Sequence, residues 1–161
     1  MNIEIRKPLE TDKEAFINLS CELTKFNKRQ HAKHYDDLKK VHAIRKEHVS
    51  KTFDAMEKRP GLFIRLAFCN GLPTGYVRAF IIDYKLKTAC LDELYIKDSL
   101  RGKGIGKKLL ESVTLWMKEK EIVRMTVSVY KWNEEAIRFY EKEGFESFAL
   151  SYEKNLTEEE N

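Results

Sequence analysis

The stretch LDELYIKDSLRGKGIGKKLL, Leu91 to Leu110, constrains the fold of this chain more than any other. Leu91 to Ile96 alternates apolar and polar residues as a strand does. Beyond the polar corner Lys97-Asp98-Ser99, the residues Ile105, Leu109, Val113 and Trp116 recur at helical spacing. The glycines Gly102, Gly104 and Gly106 therefore fall where a strand becomes the first turn of a helix. A helix start carries unpaired N–H groups and the positive end of a dipole. Glycines there let an anion come close to the backbone, and Lys103, Lys107 and Lys108 add positive charge. The segment Arg101 to Lys107 reads as a cradle for a pyrophosphate.

Two familiar phosphate patterns are excluded by the spacing. A P-loop needs G-x-x-x-x-G-K-S/T, but ahead of Gly106-Lys107 the first position is Arg101 and the last is Lys108. The dinucleotide fingerprint G-x-G-x-x-G fails because Gly102 and Gly104 lead to Lys107, and Gly104 and Gly106 lead to Leu109. What remains is Arg101, Gly104 and Gly106 in the pattern R-x-x-G-x-G.

A second stretch, Trp132 to Phe145, carries complementary features. Asn133 is a good N-cap, and Glu134 and Glu135 suit the start of a helix. Gly144 is suited to ending it. Asn133, Ala136, Ile137 and Tyr140 are spaced to share one face, an apolar stripe with an amide at one end and a phenol at the other.

Together the two stretches resemble the GNAT superfamily of acyl-CoA-dependent N-acetyltransferases. Arg101, Gly104 and Gly106 match its Q/R-x-x-G-x-G/A signature. Asn133, Ala136, Phe139, Tyr140, Gly144 and Phe145 match its N-x-x-A-x-x-F-Y-x-x-x-G-F element. The resemblance implies an α/β fold whose mixed central sheet has about six to seven strands flanked by helices, with strands 4 and 5 splayed to admit CoA. It implies acetyl-CoA as co-substrate, its pyrophosphate on Arg101, Gly102, Lys103, Gly104, Ile105, Gly106 and Lys107. The pantetheine would lie as an added strand along Leu94, Tyr95 and Ile96, with one backbone N–H serving the oxyanion. Asn133 would contact the pantetheine arm, and Tyr140 would protonate the departing thiolate.

Amide formation also needs a group to take a proton from the attacking ammonium. The adjacent carboxylates Asp92 and Glu93 sit on the strand just before the cradle, and strand alternation makes them face opposite ways. Here the chain resembles the spermidine/spermine acetyltransferase branch, in which Asp92 takes the place of the carboxylate proposed as base, acting through water. Glu93 remains the alternative.

The rest of the chain reads as one domain, 1–156, with an acidic disordered tail at 157–161. At 161 residues and 42% hydrophobic it can build a sizeable core. Ile3 and Ile5 mark a first strand, and Thr11 and Asp12 offer a cap before the helical stripe Ala15, Phe16, Leu19 and Leu23. Further strands are expected at Leu62 to Phe68, at Tyr76 to Asp83 (delayed by Pro73), at Ala89 to Ile96, at Met125 to Val129 and at Phe148 to Tyr152. Three scattered cysteines, Cys21, Cys69 and Cys90, fit reduced thiols and a cytoplasmic location, and neither a membrane span nor a signal peptide is read.

The segment Lys25 to Arg59 is rich in Lys and Arg and holds all four histidines. His31 and His34 could share a helical face, but no carboxylate or cysteine stands at ligand spacing, and no metal is expected. The net charge of +4 is mild, and Asp36, Asp37, Glu47, Asp54 and Glu57 interrupt the basic run, so nucleic acid is not expected as a partner. The family resemblance makes this segment the acceptor-side wall.

The expected activity is acetyl transfer to a primary amine of a small molecule or of a peptide or protein, by direct attack in a ternary complex. A non-catalytic acyl-CoA-binding domain and a polyamine acetyltransferase are the alternatives. Tyr140 and the acidic pair favour the enzyme, since binding alone needs neither. The basic segment weighs against a cationic polyamine. A homodimer is left open.

Overall fold

The computed structural model describes residues 1–30, 38–152 and 154, and the chain divides into two compact units, Met1–Ser128 and Val129–Asn161. The first unit is built on a five-stranded mixed sheet in the order β1-β2-β3-β4-β5. Its strands are β1 (Ile3–Arg6), β2 (Leu62–Cys69), β3 (Leu72–Asp83), β4 (Thr88–Ile96) and β5 (Arg124–Val127). The first four pair antiparallel and β5 joins β4 in parallel. Helices α1 (Lys13–Gln30) and α2 (Leu38–Ala55) lie between β1 and β2, and α3 (Ile105–Glu119) connects β4 to β5.

Strand alternation sorts the two faces. Ile64 and Leu66 of β2 enter a buried cluster with Phe16 and Leu19 of α1, Val49 and Phe53 of α2, and Tyr76 and Tyr95 of β3 and β4. Phe63, one residue over, turns to the other face and meets Trp116 of α3 with ring centroids 4.9 Å apart. The fully buried Phe16 ring packs edge-on to Tyr76 at 5.2 Å. On α3, Ile105, Leu109 and Val113 are buried, as their spacing requires.

Three expectations from the sequence are corrected. The sheet has five strands among the described residues, not six or seven. Residues 148–152 form no strand: Phe148, Leu150 and Tyr152 are exposed, and their own unit contains no other strand among its described residues. Period-two patterning makes a strand only where a ladder partner exists. Conversely, β3 begins at Leu72, before Pro73, because Pro73 stands opposite Phe68 at a register shift, where a missing N–H costs little. His31, His34 and the tail at 157–161 lie outside the described residues.

The junction of β1 with α1 rests on Asp12. Arg6 donates to both of its carboxylate oxygens, Nη1 at 2.6 Å and Nη2 at 3.1 Å, and the Leu9 amide adds a bond of 2.7 Å. Arg6's hydrogen bonds hold the carboxyl below its usual range, against the opposing effect of burial. Asp12→Asn should therefore lower stability by about 1.5–3 kcal/mol near neutral pH, the size expected for charged hydrogen bonds. A lowered carboxyl stabilises the fold above the unfolded-state value of about 4 and loses that contribution as pH falls through the folded-state value. Urea unfolding should show a constant gap between wild type and Asp12→Asn from pH 5 to 8 that closes below about pH 4.

Candidate active site

The end of β4 is where the sheet opens. The β4–β5 ladder runs from Thr88↔Arg124 to Leu91↔Val127 and stops, while β4 continues to Ile96. On its other edge β4 stays paired with β3, and Lys97 donates to the Thr74 carbonyl at 2.9 Å. By alternation, the amides of Leu94 and Ile96 turn to the edge that β5 has left. A bare strand edge of this kind accepts an extended, amide-bearing chain as a further strand.

The chain then makes a single 3-10 turn, Asp98–Leu100, and enters α3 through Gly104. Gly104 has φ +80 and Gly102 φ +72, both in the left-handed region. Among the described residues no backbone carbonyl takes the N–H groups of 102–107, and the helical ladder starts with Lys108 N donating to Gly104 O at 3.2 Å. These N–H groups cluster at a helix start, as anion binding needs. Arg101 does not add its charge to that cluster as a free arm. Its Nε donates to the Ile96 carbonyl at 3.3 Å, its Nη2 pairs with Asp98 at 2.9 Å, and its guanidinium lies over Phe26 at 4.5 Å. Arg101 thus fixes the loop against the end of β4 and α1.

The acidic pair departs from the expected alternation. Arg78 of β3 stands opposite Glu93 and Ala79 opposite Leu91, so Asp92 is an extra residue in β4. This bulge lets both carboxylates face one side of the sheet. A single guanidinium holds them: Arg78 Nε donates to Asp92 Oδ2 at 2.7 Å, and its Nη2 lies 3.2 Å from Glu93 Oε1. Glu93 is bound further. Arg45 of α2 pairs with Oε1, and the Tyr76 hydroxyl donates to Oε2 at 2.8 Å. Arg45 also donates from Nε to the Ser20 hydroxyl of α1 at 2.8 Å. The Glu93 side chain is 13% exposed and that of Asp92 33%. Burial, followed by the nearby Glu93 charge, pushes the Tyr76 phenol well above its usual range.

Arg78, Arg45 and Tyr76 were not legible as site residues in the sequence. The available signal was Arg78 alone within the apolar run Tyr76 to Ile82, since a charge in a two-sided buried strand needs a counter-charge on the next one. Tyr95, from the same strand end, faces the α1 side and donates to Glu22 at 3.1 Å.

The second unit holds α4 (Glu134–Lys142). Asn133 caps it, its side-chain oxygen accepting from the Ala136 amide at 3.1 Å. Tyr140 is buried between Phe139 and Phe145, with ring centroids at 5.1 and 5.2 Å, and burial raises its phenol above the usual tyrosine range. The proton therefore stays on Tyr140 throughout the neutral range, the state a hydrogen donor requires.

Residues 23–145 match the acetyltransferase (GNAT) family. The chain belongs to that family. Over 72 residues it is 31% identical to thialysine N-epsilon-acetyltransferase of Sus scrofa, a match covering 39% of this chain and 42% of that protein's length. Its fold superposes on the PaiA N-acetyltransferase of Thermoplasma acidophilum in complex with coenzyme A, with a TM-score of 0.79, 27% identity and 94% of each chain covered. It also superposes on the aminoglycoside N-acetyltransferase AAC(6')-Iy in complex with CoA, with a TM-score of 0.70, 19% identity and 95% of each chain covered, a likeness of fold.

For this GNAT chain the glycine turn gives a controlled test. A Cβ on Gly104 meets nothing within 4 Å, so its cost is backbone strain plus obstruction of whatever approaches the turn. Gly71, in the β2–β3 turn, has the same φ of +80 and the same open surroundings. Each Ala substitution should cost about 1–2 kcal/mol of stability. Only Gly104→Ala should weaken CoA binding, by about tenfold or more, through blocked backbone approach. Calorimetric titration of both variants with CoA separates obstruction from strain.

Proposed function

We propose that this chain transfers an acetyl group from acetyl-CoA to a primary amine in a ternary complex. The observation that carries this reading is the unpaired edge of β4 beyond Leu91, running straight into a turn whose N–H groups at 102–107 have no backbone acceptor among the described residues. An extended pantetheine suits the edge at Leu94, Tyr95 and Ile96, and a pyrophosphate suits the turn from Arg101 to Lys107. The family match runs across both units of the chain, which supports reading 1–156 as one acetyltransferase domain.

In this reading the amine nitrogen attacks the thioester carbonyl after losing a proton toward Asp92 through water. The carbon–sulfur bond breaks as the amide forms, and Tyr140 gives its proton to the departing thiolate. Asp92 is preferred to Glu93 because both oxygens of Glu93 are occupied by Arg45, Arg78 and Tyr76, whereas Asp92 is the more exposed carboxylate. The name of the pig relative specifies the ε-nitrogen of thialysine, and on that likeness a small-molecule amine is preferred over a peptide.

Acetyl transfer across a panel of amino acids, polyamines, aminoglycosides and peptides tests the class. Turnover of at least one amine, with release of free CoA thiol, is expected; CoA binding without turnover of any would leave the non-catalytic binding domain. Tyr140→Phe removes the hydroxyl and keeps the ring. The expected loss in kcat is on the order of 100-fold, the scale of general-acid catalysis, with acetyl-CoA affinity nearly unchanged. A variant that melts normally and turns over within about threefold of wild type removes Tyr140 from the chemistry.

A further inference from the structure

We propose that Arg78 is the positioning residue of the reaction: one buried guanidinium, anchored on Glu93, that aims Asp92 at the acceptor amine. The proposal rests on the reading of Asp92 as base given above. Three observations carry it. The bulge brings both carboxylates to one side of β4, and Arg78 spans them, with Nε on Asp92 and Nη2 on Asp92 and Glu93. Glu93 is in turn fixed by Arg45 of α2 and the Tyr76 hydroxyl, so Arg78 is anchored on a carboxylate that is itself held in place. Finally, Arg78 Nη1 is buried and lacks a hydrogen-bond partner among the described residues, although the side chain is only 8% exposed.

That last feature matters because an orphaned buried donor costs stability. Such departures from local optimality belong to sites where geometry serves a reaction. The planar fork also explains why the residue is an arginine: a lysine ammonium could neutralise one carboxylate but could not bridge two in fixed orientation.

Through Glu93, Arg45 extends the same chain of contacts to α2 and to Ser20 of α1. The carboxylate pair of β4 is thereby tied to α1 and α2. The charged and titratable groups around Asp92 are Arg78 on β3, Glu93 beside it, and Cys90 two residues earlier, whose thiol is pushed up by burial and by Asp92. Tyr76 and Arg45 reach it through Glu93.

The test uses the full chain and four variants: Arg78→Gln, Arg78→Lys, Asp92→Asn and the Asp92→Asn/Arg78→Lys double variant. Arg78→Gln should lower kcat at pH 7 by about tenfold or more, with the KM for acetyl-CoA unchanged within about twofold. Arg78→Lys, which keeps the charge and loses the fork, should recover kcat only in part. In the Asp92→Asn background Arg78→Lys should have almost no further effect on kcat, because the two residues act as a unit.

An Arg78→Gln variant whose melting temperature drops while its kcat stays within about threefold of wild type would make Arg78 a structural ion-pair residue and overturn the proposal. So would an Arg78→Lys effect on kcat of equal size in both backgrounds, a comparison that stands even if Arg78→Gln does not fold. If Asp92→Asn alone keeps turnover within about threefold, the reading of Asp92 as base fails, and with it the proposal. If Asp92→Asn lowers kcat by about tenfold or more and the Arg78→Lys effect is additive on what remains, only the positioning role fails.

Discussion

Between Leu91 and Leu94, β4 takes one residue more than β3 does, and the ladder to β5 stops at the same place. This local misfit sets the geometry of everything proposed for the site. It turns two consecutive carboxylates to one side, where Arg78 can hold both. Beyond it the amides of Leu94 and Ile96 have no strand beside them among the described residues. Bulges re-aim side chains at the cost of a ladder bond, and here the cost falls on the stretch that leads into the glycine turn. The rest of the sheet absorbs it: β3 is paired along its length with β2 and β4, and the Phe16, Tyr76 and Tyr95 rings pack beneath the bulge.

The polar chain from Ser20 through Arg45, Glu93 and Arg78 to Asp92 is a different kind of constraint from the apolar core beside it. Two arginines face two carboxylates, so the formal charges cancel, and the geometry is specified by bonds rather than by volume. Buried networks of this sort add little net stability compared with apolar packing, but they fix orientation where partial satisfaction would be costly. Their usual return is a unique arrangement of groups. In this chain that arrangement surrounds the carboxylate nearest the open edge.

How much of this the sequence disclosed depends on whether the determinant was local. The strand-to-helix turn was legible because glycines and helical periodicity sit within one short stretch, and Gly102 and Gly104 do adopt left-handed backbone there. The α1 stripe of Phe16 and Leu19 and the Asn133 cap were legible for the same reason. The orientation of Asp92 and Glu93 was not, since alternation assumes one residue per partner residue and only the pairing with β3 breaks that count. Arg78 and Arg45 come from elements distant in sequence, so no spacing rule links them to Glu93. The pattern Phe148, Leu150, Tyr152 failed in the opposite way: it alternates like a strand, yet among the described residues nothing in its unit pairs with it.

On the proposed reading, the edge of β4 beyond the bulge and the glycine turn form one binding surface for an extended, phosphate-bearing co-substrate. Amide hydrogen exchange with and without acetyl-CoA addresses it residue by residue, because a bound backbone N–H is protected from solvent. The co-substrate should slow exchange at Leu94, Ile96 and the amides of 102–107, and leave Leu72 and the β2–β3 turn unchanged. Saturation with acetyl-CoA that leaves the amides of both Leu94–Ile96 and 102–107 exchanging at their free rates would contradict it.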